Sequence, residues 1–165
     1  MRIVFILLSL FFIFTATCNA DEIIGSVREV SAVENTINIS GVVVLVQKAR
    51  IENEFDQLIN LSGIAAGDYV SVEGAFAGHA QMRAMKIERR YPEQDKIKGR
   101  IESVNAAARE LVIGGITIDV PENAWLVDAV GSGIRMDKIK PNYYAECTGT
   151  WAGEASFTAN RINLN

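Results

Sequence analysis

The side chains best suited to chemistry are few in this sequence: one histidine, His79, two cysteines, Cys18 and Cys147, and several short runs of charge. His79 sits in Gly78-His79-Ala80, a small-residue connection between two apolar runs. No acid or nucleophile recurs near it, so a solvated turn position is expected rather than proton transfer. Cys147 falls at an inward place of an alternating stretch with no basic cluster nearby, which suits a buried thiol better than a nucleophile. Glu52, Glu54 and Asp56 alternate as hard-cation ligands can. Gln57-Leu58 then stands where a calcium loop needs glycine and a distant glutamate, so a solvated acidic loop is expected. No His-x-His, Cys-x-x-Cys or zincin spacing occurs. The sequence therefore nominates no catalytic, metal or cofactor residue, and the protein is expected not to be an enzyme. A glycosidase-like pair of converging carboxylates is conceivable, but no spacing singles one out.

Arg83, Lys86, Arg89 and Arg90 make one stretch locally basic, yet 16 basic residues against 20 acidic ones give a net charge of −4. Residues 21–90 carry −3 and residues 91–165 carry −2, without the basic excess that phosphate backbones demand. No nucleic-acid partner is expected, and the four cations read as a charged strand exterior that discourages edge association.

The elements that must carry these residues begin after residue 20. Arg2 precedes an apolar run from Ile3 to Phe14 broken only by Ser9, and small residues follow to Ala20. A dozen helical residues span about 18 Å, short of a hydrocarbon core of about 30 Å. The segment reads as a secretory signal cleaved after Ala20, leaving no transmembrane segment and a periplasmic or secreted chain. Lipoprotein processing at Cys18 is the alternative, disfavoured because Thr15 and Thr17 are poor matches to that signal. The processed chain keeps Cys147 alone, so no internal disulfide can form.

An internal repeat organises the rest. At an offset of 74, Gly25 meets Gly99, Val27 meets Ile101, Ile39 meets Ile113 and Gly41 meets Gly115. At 75, Ile64 meets Ile139, Gly74 meets Gly149, Phe76 meets Trp151 and Ile87 meets Ile162. Each unit, 21–90 and 91–165, is expected to form five strands. In the first unit these are 22–30, 35–39, 42–46, 69–76 and 81–89, with a tight Ser40-Gly41 hairpin. The Leu61-x-x-Ile64-x-x-Gly67 spacing predicts a short helical turn between strands three and four. The pattern predicts an all-β chain of two tandem five-stranded OB-like small barrels.

Both units resemble the bacterial domain of unknown function 5666 family. The first carries Gly25-Ser26-Val27, Leu61-x-x-Ile64-x-x-Gly67-Asp68-Tyr69-Val70, Gly74 and Ala84-x-x-Ile87. The second keeps Gly99-Arg100-Ile101, Gly149 and Ala159-x-x-Ile162, but has Asn142-Tyr143-Tyr144-Ala145 where Gly-Asp-x-Val is expected. The resemblance implies a fold and an envelope setting, not a chemistry.

Phe76, Trp151 and Trp125 (aligned with Ile51) are expected in the core. One strand breaks the alternation: Val42 to Val46 is apolar throughout, whereas its counterpart places Thr117 and Asp119 on the second face. Val43 and Leu45 are therefore candidate interface residues, packed against the second unit, a partner, or the connection 47–66. The expected role is an exported binding or scaffolding module whose partner is an envelope protein. The alternative is a small-ligand or oligosaccharide binder using the strand 2–3 face.

Overall fold

A computed structural model describes residues 20–165. The signal segment and Cys18 lie outside the described residues. The described residues are all-β, with twelve strands and two single 3-10 turns, Leu61–Gly63 and Met136–Lys138. The first half contains β1 (Asp21–Ser31), β2 (Thr36–Ile39), β3 (Val42–Leu45), β4 (Arg50–Glu52), β5 (Tyr69–Gly78) and β6 (Gln81–Arg90). The second contains β7 (Asp95–Asn105), β8 (Glu110–Ile113), β9 (Ile116–Asp119), β10 (Trp125–Val127), β11 (Tyr144–Gly153) and β12 (Ser156–Leu164).

The two halves share one order of pairing. In the first, β1 pairs antiparallel with β2 and β5, β2 with β3, and β5 with β6, and a parallel contact joins β3 to β6. The ladder thus returns to β1. The second half repeats each step with β7, β8, β9, β12 and β11. Aliphatic residues on the inner faces supply the core, among them Ile23, Ile39, Val72 and Ile87, matched by Ile97, Ile113, Cys147 and Ile162. The Ser40-Gly41 and Gly114-Gly115 turns have positive φ at both positions, and their second place needs glycine because a Cβ there would strike backbone.

Two features depart from the sequence expectation. Each half has a sixth strand, the three-residue β4 or β10, running parallel to β6 or β12. Three residues are too few to show an alternating pattern, which is why neither was foreseen. The halves are also not separate sheets: β1 pairs antiparallel with β7, so all twelve strands form one hydrogen-bonded sheet.

Candidate functional site

The pairing of β1 with β7 sets Ile23 opposite Ile97, Glu22 opposite Lys98 and Ile24 opposite Lys96. Since 23 and 97 are equivalent places in the repeat, a pseudo-twofold axis passes through that pair. The contacts around it come in matched sets. Ala80 N–H of the β5–β6 tip donates to Gly114 O at 2.9 Å, and Ala155 N–H of the β11–β12 tip donates to Ser40 O at 2.7 Å. Each hairpin tip therefore clasps the β2–β3 or β8–β9 turn of the other half. Those turns come so close that a Cβ on Gly115 would lie 2.6 Å from Ala80 N, and one on Gly41 2.7 Å from Ala155 N.

Two aromatic side chains, expected in the core, are half-buried and pack against it where the halves meet. Phe76 lies over Gly99 and Gly114 of the second half, and Trp151 lies over Gly25 of the first. Trp151 donates its indole N–H to Ile24 O at 3.3 Å and meets Phe157 edge-on at 5.3 Å. Both are half-buried near the ends of β5 and β11, where the two halves meet. Tyrosines and aspartates complete the set. Tyr69 donates its hydroxyl to Asp95 Oδ1 at 2.9 Å and Tyr144 donates to Asp21 Oδ1 at 3.3 Å. The same aspartates accept the backbone N–H of Trp151 and Phe76 through Oδ2. Burial, followed by the hydrogen bond to Asp95, pushes the Tyr69 hydroxyl well above its ordinary value, so it remains a donor.

Glu52 and Glu54 of the acidic trio meet Lys86 and Arg89 of the basic stretch on the first half, while Asp56 stays exposed. Lys86 Nζ lies 2.9 Å from Glu52 and 3.2 Å from Glu88, Arg50 pairs with Glu52, and Arg89 Nε is 2.8 Å from Glu54. Glu52 is only 2% exposed, which corrects the solvated-loop reading. Its carboxyl is held below the usual value by Lys86 first and by Arg50, against an opposing desolvation. Long-range pairing of β4 with β6 creates this network, which no local spacing announces.

Beyond Glu52 each half presents a rigid loop. Asn53 Oδ1 accepts N–H bonds from Phe55 and Gln57, and an isolated bridge joins Glu52 to Leu58. In the second half Asp128 Oδ1 accepts from Val130 and Ser132, and Val127 bridges Gly133. The tips are apolar and exposed: Phe55 at 65%, Leu58 at 70% and Val130 at 85%.

Among the other sequence candidates, Cys147 is buried and its thiol is pushed up to about 12, mainly by burial. His79 is exposed at the clasping tip, with its backbone against Gly115. Trp125 is not a core residue. It aligns with Arg50 instead of Ile51, stands 59% exposed, and stacks with the Arg161 guanidinium at 4.7 Å. Val43 and Leu45 are half-buried on the outer face of β3. Val43 opens onto a 220 Å3 hollow with Glu29, Thr36 and Asn38. No group of three or more His, Cys, Asp or Glu that could hold a metal occurs among the described residues. Nor, among them, is any helix long and apolar enough to cross a membrane.

Fold and seam define an all-β protein of two like halves clasped about a pseudo-twofold axis. Residues 24–88, most of the first half, match the family described as a domain of unknown function, number 5666, and are similar to it over that span. No curated protein and no solved structure matches the chain.

Proposed function

We propose that the protein is an exported, non-enzymatic binding or scaffolding module of the bacterial cell envelope, built from two OB-type barrels that are both copies of the 5666 domain. The closed ring of pairs in each half, with its one parallel contact, supports the barrel reading. The equivalence of pairings across the halves supports the second copy. A single observation carries the binding role. Phe55 and Leu58 stand in water on a loop that side-chain and backbone hydrogen bonds hold in one shape. An ordered apolar knob loses little entropy when a partner covers it. Capture from envelope extract with the protein and with a Phe55→Ser, Leu58→Ser variant tests this. A partner lost only with the variant is expected; identical captures from both contradict the loop-tip reading. Fractionation and N-terminal sequencing test export. A periplasmic or secreted chain starting at Asp21 is expected, a lipid-modified Cys18 terminus shows the anchored route, and a cytoplasmic chain retaining Met1 contradicts export.

The hollow on the β2–β3 face favours a second reading, a small-ligand or oligosaccharide binder, with Val43 as its apolar wall and Asn38 and Thr36 as polar partners. On that reading Val43→Glu abolishes ligand binding. Val43 and Leu45 also remain the candidate contact residues for a protein covering β3.

A further inference from the structure

The pseudo-symmetry of the seam is broken at one place. Trp151 spreads over Gly25, but the matching position over Gly99 and Gly114 holds the smaller Phe76. Beside Phe76 is an open hollow of 350 Å3 lined by Asp21, Phe76, Arg100, Glu102, Gly114 and Tyr144. Ser26 and Arg28 are the repeat equivalents of Arg100 and Glu102, so the charge pattern also belongs to this side alone.

We propose that this hollow binds a carboxylate-bearing sugar, a residue of the uronic-acid type. Arg100 is exposed, and its guanidinium has no hydrogen-bond or ion-pair partner among the described residues. A planar fork of donors takes a carboxylate through two parallel bonds. Asp21 and Glu102 already accept backbone N–H groups, from Phe76 at 2.9 Å and Gly115 at 3.3 Å, which fixes their orientation. Their remaining lone pairs point to hydroxyl donors rather than to a second anion. The Phe76 ring and the Gly114 backbone form an apolar wall suited to the C–H face of a pyranose. A neutral sugar leaves Arg100 unanswered, and a simple carboxylate leaves the acids and the ring unanswered. Sites of this kind favour interfaces between structural units, and the volume suits one or two sugar rings. The inference uses none of the loop-tip residues or the β2–β3 face, so its failure leaves those readings standing.

The test is a titration of the isotope-labelled protein with D-glucuronate, methyl glucoside and acetate, followed at the Gly114 and Gly115 amides. Saturable shifts with glucuronate are expected, with binding of the glucoside and of acetate weaker by roughly tenfold or more. Phe76→Trp, which copies the residue of the other half, is expected to fill the hollow and reduce affinity by roughly tenfold without lowering the melting temperature. Arg100→Ala, at an exposed position, folds regardless and is expected to weaken glucuronate binding by a similar factor while leaving the glucoside unchanged. Absence of saturable shifts at these glycines overturns the proposal. So does equal binding of glucuronate and acetate, or undiminished glucuronate binding by Arg100→Ala.

Discussion

Two ionisable side chains show how placement decides chemistry. Cys147 sits among aliphatic residues with its thiol raised to about 12, so little thiolate exists at neutral pH. A thiol reagent is expected to leave the native protein unlabelled for hours and to label it fully in denaturant; rapid native labelling counts against the burial. Glu52 works in the opposite direction, because Lys86 and Arg50 lower its pKa from the usual 4.5. A carboxyl lowered in the folded state contributes stability that is complete above the unfolded value and is lost as pH falls through the folded one. Stability should therefore decline below about pH 4.5, and Glu52→Gln should flatten that acid limb while lowering stability at pH 7. Denaturant midpoints measured across pH 2–7 check both. An unchanged acid limb in the variant would show that Glu52 is not the group responsible.

At the scale of elements, the turns hold the prediction. Gly114 has a φ of +61°, and a Cβ there would lie 2.2 Å from Phe76 Cδ1. Gly78 has a φ of +81° and open space around it. Gly78→Ala should cost about 1 kcal/mol through backbone strain alone. Gly114→Ala should cost about 2–4 kcal/mol, strain and overpacking together. Equal costs in thermal or denaturant unfolding would mean that Phe76 does not lie on that turn. The strands themselves were legible because two-residue alternation and the glycine turns are local signals. In β5 Val70 and Val72 are buried and Glu73 is exposed as their spacing announced, but Tyr69 and Ser71 on the second face are buried as well, their hydroxyls bonded to Asp95 and Glu22. The bulge at Met85 was not legible: Glu73 pairs with Lys86 and Gly74 with Ala84, which leaves Met85 out of register and exposed.

For the whole molecule, the repeat in the sequence foretold two like halves but not how they meet. Its glycines at 25, 41, 99 and 115 read as turns and strand starts, yet each also admits a group from the other half: Trp151, Ala155, Phe76 or Ala80. An interface of this kind pairs residues from 26 to 127 positions apart, beyond any periodicity argument. The chain has the geometry of a symmetric dimer joined into one polypeptide, with the hairpin-tip clasp, the aromatic-over-glycine contact and the tyrosine–aspartate bond each made twice. The two sides also differ. The first half carries the Glu52 ion-pair network, and the second an exposed Trp125 over Arg161. The hollow beside Phe76 belongs to one side alone.

The most direct measurement is nuclear magnetic resonance of the two indole N–H groups. Trp151 should show an Overhauser contact to the α-protons of Gly25 and slowed solvent exchange, because its N–H is bonded to Ile24 O across the seam. Trp125, exposed on β10, should exchange freely. Free exchange by both indoles, with no contact between residues of the first half and Trp151, would contradict the clasped pseudo-dimer on which the rest depends.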